Sequence, residues 1–284
     1  DVSIQVGAAG RIAAIAPAGP RTPAAVLVPG MPNVHSHAFQ RALAGRAEQA
    51  GHGPDSFMTW RERMYALSHR LSPDDIEAIA TLLYVEMLEA GYTSVCEFHY
   101  LHHGPDGTPH GDPVAASRAL IRAAASAGIR LTLLPVLYMH AGFGAQPPEP
   151  AQAPFIHTVR DYLSLLGKLL GEQGSLTRIG IAFHSIRAVS PEAIGEVLAW
   201  RASAAPDMPV HVHVAEQLQE VHECEAWSGL RPVEWLLERG GVDEHWCLVH
   251  ATHMTEAETR WLAATGAVAG LCPTTEANLG DGLF

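Results

Sequence analysis

Two histidines separated by one residue, His35 and His37, are the first residues in the chain whose types and spacing could do chemistry. On an extended segment alternate side chains point to the same side, so both imidazoles could contact one metal ion. Imidazole nitrogen is a suitable ligand for zinc and its first-row neighbours. The chain has 17 histidines, so a pair on the surface or in a turn is the alternative. The metal hypothesis therefore depends on ligands from elsewhere in the chain.

A later strand-like run, Pro209–Val214, contains two more histidines on one face. His213 is nearer the end of this run, and we predict that it is the third metal ligand. His211 is deeper, and we predict that it belongs to the core. Glu216 follows the run directly and could move protons without binding the metal. The alternative for Glu216 is an ordinary glutamate in the first turn of a helix.

Other polar residues also follow the ends of strand-like runs. His250 ends one run and is a candidate for polarising a substrate or stabilising hydroxide, and Tyr100, His184 and Arg187 occupy similar positions. The only lysine is Lys168, within a predicted helix. Barrel hydrolases with two metals commonly bridge them with a modified strand lysine, so we predict a single metal ion here.

Strands and helices alternate along the chain. The predicted strands are Ala24–Val28, Thr93–Tyr100, Arg130–Tyr138, Arg178–Ser185, Pro209–Val214, Trp246–His250 and Ala267–Leu271. This repetition implies a parallel sheet and favours a TIM-like (β/α)₈ barrel, in which the strand ends converge on one site. An open doubly wound sheet is the alternative. Seven strands leave the barrel one short, so we expect that its last strand and C-terminal part are absent.

The N-terminal residues have a different pattern. Weak alternation from Val2 to Ile15 predicts a hairpin, which we assign to a small, β-sandwich-like accessory domain. The predicted boundaries are residues 1–29 for this segment, which includes the entry to the first barrel strand, and 30–284 for the incomplete barrel.

Composition excludes several functions. The net charge is −12 and no basic cluster is present, so nucleic acid is not an expected partner. A pocket lined by arginines remains compatible with this charge, because a local field can oppose the net charge. No apolar run reaches membrane-spanning length. The four cysteines form no C-x-x-C motif, which is typical of reduced thiols in the cytoplasm.

His35-Ser36-His37, His213-Val214-Ala215-Glu216 and His250 together resemble the deaminase branch of the amidohydrolase superfamily. The longer segments Gly30–Arg41, Phe183–Arg187 and Cys272–Gly280 resemble the family of N-formimino-L-glutamate deiminases, and the similarity covers essentially the whole chain. These enzymes convert N-formimino-L-glutamate and water to N-formyl-L-glutamate and ammonia in histidine degradation.

The resemblance implies roles for ten residues. His35, His37 and His213 would bind one divalent metal ion, usually Zn²⁺, while Glu216 and His250 would do the proton and electrostatic work. The substrate, a small anionic amidine, would contact Gln40, Arg61, Tyr100, His184 and Arg187. Arginine suits this substrate because its guanidinium group grips carboxylates bidentately. We also expect a homodimer in the cytoplasm, with no membrane partner.

The chain departs from the family pattern at one position. The family's fourth ligand and general base is an aspartate on strand eight, and the sequence ends at Phe284, before that strand. We do not assign Asp281 as its replacement. We therefore expect residues 1–284 alone to be inactive or poor in metal, and the complete protein to be an enzyme.

Two other functions remain open. A deaminase of an aminoheterocycle, such as guanine, cytosine or an adenosine derivative, would need aromatic stacking and amide groups more than Arg61 and Arg187. A non-catalytic binding protein that retains the barrel would lack the metal. A serine hydrolase is poorly supported, because no G-x-S-x-G motif is present.

Overall fold

The computed structural model describes residues 2–8, 11–19, 26, 28–47, 57–282 and 284. Contacts divide the chain into two units, Asp1–Gly30 and Met31–Phe284. In the first unit, strands β1 (Val2–Val6) and β2 (Ile12–Pro17) pair antiparallel, with Val2 opposite Pro17 and Ile4 opposite Ile15. The predicted hairpin is confirmed.

The second unit contains one parallel sheet. Its described strands are β3 (Met31–Ser36), β4 (Tyr92–His99), β5 (Arg130–Leu137), β6 (Thr177–Ile179), β7 (Ile181–Ser185), β8 (Val210–Val214), β9 (Trp246–His250) and β10 (Val268–Gly270). Their spatial order is β10-β9-β8-β7-β5-β4-β3, and β6 pairs with the start of β5. Every residue of β8 and β9 is buried, as expected for strands covered on both faces.

Helices follow most of these strands. The described α-helices are α1 (Phe57–Ser68), α2 (Pro73–Glu89), α3 (Ala115–Ala127), α4 (Val159–Leu169), α5 (Pro191–Ala204), α6 (Leu218–Ser228), α7 (Pro232–Arg239), α8 (Glu256–Thr265) and α9 (Pro273–Leu279). Short 3₁₀ helices cover Ala38–Leu43, Pro150–Phe155 and Leu170–Glu172. Among the helices described, none combines the length and the apolar character that crossing a membrane requires.

The two outer strands of the sheet approach each other. A Cβ atom added to Gly270 of β10 would lie 3.5 Å from Cγ2 of Val34 in β3. The sheet is therefore a nearly closed barrel of the (β/α)₈ type rather than an open doubly wound sheet, which confirms the predicted fold. In such a barrel the carboxyl ends of all strands face the same opening.

The first barrel strand lies later in the chain than we predicted. Within the apolar run Ala24–Val28, only Val26 and Val28 are described; both are exposed and neither belongs to a strand. The remaining residues of that run lie outside the described part of the chain. The strand β3 is instead Met31–Ser36, which pairs with β4. This strand was not predicted because Asn33, His35 and Ser36 are polar, so the segment is not an apolar run.

The strand predicted over Arg178–Ser185 is interrupted at Gly180, and its two parts pair with different stretches of β5. A Cβ atom at Gly180 would lie 2.5 Å from Leu134 Cδ2 and 2.9 Å from the Pro209 carbonyl oxygen. Only glycine allows this close approach of neighbouring strands. The interruption places β7 so that it ends beside β8, where the candidate site lies.

Candidate active site

Three imidazole rings meet at the carboxyl ends of β3 and β8. Nε2 of His35 lies 3.0 Å from Nε2 of His37 and 3.0 Å from Nε2 of His213. His35 is in β3, His37 follows that strand, and His213 is in β8. The pairing order of the sheet therefore brings together three histidines that are up to 178 residues apart in the chain.

The hydrogen bonds of these rings define a site for a cation. Nδ1 of His37 donates to the Phe98 carbonyl at 2.8 Å, and Nδ1 of His213 donates to the His184 carbonyl at 3.0 Å. Both rings therefore present bare Nε2 lone pairs to His35. The single Nε2 proton of a neutral His35 can satisfy only one of them, and its buried Nδ1 has no partner among the described residues. A metal ion would satisfy all three Nε2 atoms, so the residues fit a zinc-type centre.

Burial keeps these imidazoles neutral. It lowers the pKa of His37 to about 4, against the opposing effect of its bond to Phe98. Burial and the neighbouring histidines lower the pKa of His35 and of His213 well below the ordinary value. A metal ion binds the neutral form, so His37 and His213 need lose no proton, and His35 needs only to carry its single proton on Nδ1 instead of Nε2.

Glu216 lies beside this centre, in the turn that leaves β8. Both oxygens of the buried Glu220 accept backbone N–H groups, from Ala215 at 3.1 Å and from Glu216 at 3.2 Å. Ala215 has a φ of 50°, a left-handed conformation that is costly for a residue other than glycine. The turn therefore holds Glu216 in one orientation. Burial raises the pKa of its carboxyl group to about 7.

His250 ends β9 and faces Glu216, with its Nε2 3.5 Å from Glu216 Oε1. Its φ is 67°, and that of Ala251 is 51°. The Ala251 N–H donates to the Val214 carbonyl at 3.0 Å, which joins the ends of β8 and β9. Strained backbone at the ends of two adjacent strands thus directs both side chains towards the three clustered histidines.

A cavity of about 410 Å³ opens above the three histidines. All ten residues that we predicted for the site line it. At this size it could enclose a small molecule. The barrel opening therefore combines a potential metal centre, the buried carboxyl group of Glu216 and several polar side chains in one cavity.

Two arginines contribute positive charge to the cavity. Arg187 is mostly buried, and its Nη1 lies 3.8 Å from Oε2 of Glu220. Arg61, in α1, lies over the ring of Tyr65 at 5.5 Å from its centroid. The barrel thus supplies two guanidinium groups that could receive carboxylates from a ligand.

Three more predicted residues complete the wall. Gln40 donates from Nε2 to the Tyr100 hydroxyl at 2.7 Å. The ring of His184 lies on that of Tyr138, with centroids 4.1 Å apart. The main chain of His184 also orients His213, so β7 supports both the three-histidine cluster and the cavity wall. Tyr138 also lines the cavity and was not predicted, although it ends the predicted strand Arg130–Tyr138 just as Tyr100 ends Thr93–Tyr100.

Comparison with known proteins identifies the family. A family model described as "Amidohydrolase family" matches residues 26–284. The chain belongs to the amidohydrolase family. This confirms the family to which the histidine motifs pointed.

Individual amidohydrolases and related structures are similar over all or most of the chain. The formimidoylglutamate deiminase of Pseudomonas aeruginosa is 53% identical over 289 residues, which cover 100% of this chain and 63% of that protein. A crystal structure of an amidohydrolase from Brucella melitensis has a TM-score of 0.91 and 48% identity, covering 100% of this chain and 63% of the other. An adenosine deaminase from Xanthomonas campestris with bound zinc shares the fold, with a TM-score of 0.71, 24% identity, and coverage of 90% and 52%. The chain therefore spans about 63% of the length of its Pseudomonas relative.

The amidohydrolase site contains buried carboxylates that we did not predict. Glu97 of β4 accepts the Ala38 N–H at 2.6 Å and the Tyr84 hydroxyl at 3.2 Å. It therefore holds the backbone that follows His37, and burial raises its pKa to about 7. The sequence shows that Glu97 lies in a predicted strand. It does not show the partners of Glu97, which are up to 59 residues away in the chain.

Two further acids lie behind His250. Glu276 of α9 is 3.2 Å from His250 Nδ1. Asp281 is buried, pairs with the amide of Gln217, and has one carboxylate oxygen with no partner among the described residues. Asp281 could share a cation with Glu216 and His250, but it does not join the three-histidine group. The helix α9, which precedes Asp281, was missed.

A second histidine cluster surrounds the loop after β4. The rings of His99 and His102 are 4.6 Å apart, and His157 lies 4.5 Å from both His102 and His103. Both ring nitrogens of His157 are buried without partners among the described residues. The ligand atoms of these four rings do not converge on one point as those of the first cluster do. This cluster is therefore packing rather than a metal centre.

This second cluster should make the protein sensitive to acid. Burial lowers the pKa of His99 to about 3 and that of His157 to about 3. The unfolded chain takes up protons below pH 6.5 and the native state does not, so stability is lost as the pH falls from 6.5. Between pH 7 and pH 5 each histidine should remove about 2 kcal/mol from the free energy of unfolding. Urea unfolding of metal-free, full-length protein at both pH values measures this loss.

The double variant His99→Phe/His157→Phe should lose markedly less stability over the same pH range. His222→Phe, at an exposed position of α6, is the control and should behave as the wild type. An equal pH dependence in the double variant and the wild type would show that acid acts elsewhere.

Proposed function

We propose that the complete protein is a metal-dependent deaminase that hydrolyses N-formimino-L-glutamate to N-formyl-L-glutamate and ammonia. The observation that carries this proposal is one cavity that is lined by the three histidines, by Glu216 and by the two arginines. A substrate with an amidine at one end and two carboxylates at the other matches this distribution of charge. The 53% identity to a formimidoylglutamate deiminase supports the same reaction.

His35, His37 and His213 would hold the metal ion, which we propose is zinc. When bound, it would act as a Lewis acid and lower the pKa of a water molecule to about 7. The neutral imidazoles, and the carbonyl groups that accept from Nδ1 of His37 and His213, suit histidine ligands of a zinc ion.

We also propose a cytoplasmic location. The four cysteines are all free, as is typical of proteins in a reducing compartment.

Glu216 is the proposed proton carrier. Water adds to the formimino carbon, and the bond from this carbon to its terminal nitrogen breaks, so both protons of the water must move from its oxygen to that nitrogen, which leaves as ammonia. With a pKa of about 7, Glu216 can both accept and donate these protons near neutral pH. His250, whose Nε2 lies 3.5 Å from Glu216 Oε1, would orient the attacking water by accepting a hydrogen bond from it.

Arg187 should set the preference for a carboxylated substrate. In Arg187→Met we expect kcat/KM for N-formimino-L-glutamate to fall about 100-fold relative to that for N-butylformamidine, which has no carboxylate. The ratio of the two substrates cancels any indirect effect on Glu216. Arg160→Met, at an exposed position of α4, is the matched control and should leave the ratio unchanged. If Arg187→Met also left it unchanged, Arg187 would not recognise the carboxylates.

A second candidate function is deamination of an aminoheterocycle. Several aromatic side chains line the cavity and could stack on a ring: Trp60, Tyr65, Tyr100, Tyr138 and Phe155. Ammonia release by the full-length protein from N-formimino-L-glutamate and from guanine separates the two functions. Turnover of the linear amidine, with about one metal per chain, supports the first proposal. Turnover of guanine alone would replace it.

A further inference from the structure

Glu276 of α9 is a buried carboxylate that does not line the cavity. Its Oε1 accepts the Cys272 N–H at 2.9 Å and lies 3.2 Å from Nδ1 of His250. Cys272 is the N-cap residue of α9. Its N–H therefore holds the Glu276 carboxylate at the start of this helix, beside His250 at the end of β9. Glu276 thus contacts a predicted catalytic residue from the side away from the substrate.

These contacts determine which nitrogen of His250 bears the proton. As a carboxylate, Glu276 offers only acceptor oxygens, so Oε1 accepts from both the Cys272 N–H and the imidazole. Nδ1 of His250 must then be the donor. In the neutral ring Nε2 is consequently bare, and this is the nitrogen that lies 3.5 Å from Glu216 Oε1.

The backbone leaves the ring little other freedom. His250 is held at a φ of 67°, and the following N–H is bonded to β8. The ring proton of neutral His250 can lie on either nitrogen, and the acceptor at Nδ1 keeps it on Nδ1. The Glu216–His250–Glu276 series therefore has an imidazole between two carboxylates, of which only one reaches the cavity.

We propose that Glu276 is a positioning residue that holds His250 as the Nδ1–H tautomer, with a bare Nε2 directed at the reacting centre. This role rests on the proposed deaminase function. Glu276 does not touch the substrate. It acts through His250, as the orienting acid does in a serine hydrolase triad.

Two substitutions of similar size separate geometry from charge. Glu276→Gln keeps an oxygen that can accept from both Cys272 and His250, so it should keep the tautomer and lose less than about 10-fold in kcat. Glu276→Met removes both acceptors and should lower kcat on the order of 100-fold with little change in KM. Glu238→Met, at an exposed position of α7, is the control.

The tautomer can be measured without substrate. In the full-length, metal-loaded protein with ¹⁵N-labelled histidine, the His250 signals are assigned by their loss in His250→Gln. We expect Nδ1 to have the shift of a protonated nitrogen in the wild type and in Glu276→Gln. In Glu276→Met the proton should redistribute to Nε2. Circular dichroism and metal content confirm that each variant is folded and loaded.

An unchanged tautomer in Glu276→Met would overturn the proposal, whatever happens to the rate. So would a second metal ion per chain that is lost in Glu276→Met, because Cys272, His250 and Glu276 would then be its ligands. If the wild type does not hydrolyse N-formimino-L-glutamate, the proposed function fails. The NMR result still decides whether Glu276 fixes the His250 tautomer.

Discussion

Replacing Glu216 by glutamine should lower kcat for the proposed deamination about 1000-fold in the full-length protein, with metal content unchanged. Glutamine has nearly the same shape, and Glu220 would still accept the backbone N–H groups that hold the turn. The amide cannot carry a proton from water to the leaving nitrogen. Steady-state ammonia release, with metal analysis of the same sample, measures both quantities.

The control for this variant is Glu196→Gln, on the exposed face of α5, which should turn over as the wild type does. A kcat within a few-fold of the wild type in Glu216→Gln would assign proton transfer to another residue.

His213→Gln should abolish both metal binding and activity. Nε2 of His213 contributes one of the three lone pairs that converge on the proposed metal, and no other described side chain joins that three-histidine group. With one ligand removed, metal content determined by mass spectrometry should fall from about one per chain to below about 0.1.

The same strand provides a matched control. His211 is two residues before His213 and buried in the same strand, but it is outside the group of converging ligand atoms. His211→Gln should therefore keep about one metal per chain, even if it lowers stability. If both variants kept the metal, the three-histidine centre would be wrong. If both lost it, the loss would reflect disturbance of β8 rather than removal of a ligand.

The strand ends could be predicted from the sequence because each polar residue there interrupts an apolar run. His213 and His250 were located in this way, and β8 and β9 differ from their predicted bounds by at most one residue. The strand β3 was misplaced for the opposite reason, since functional polar residues occupy the strand itself. In β3 the site requires polar side chains at positions where a buried strand is usually apolar, so the apolar pattern that marks a strand is missing.

The supporting carboxylates could not have been found in the same way. Glu220 and Glu276 stand in helical segments where a glutamate is ordinarily a solvated residue. Their roles arise from folding, which buries them against the turn after β8 and against His250. A glutamate gains such a structural role from its burial and from the groups that it hydrogen-bonds, not from its residue type. Neither property can be read from spacing along the chain.

Glu220 has a consequence for how this barrel could acquire new substrates. The same carboxylate bonds the backbone that orients Glu216 and lies 3.8 Å from Arg187. A mutation that replaced Arg187 to admit an uncharged ligand would leave Glu220 buried without its cation and would loosen the turn beneath Glu216. Divergence at this position is therefore expected to require paired changes at residues 187 and 220. The contacts of Glu220 therefore couple the residue that would select the substrate to the residue that would turn it over.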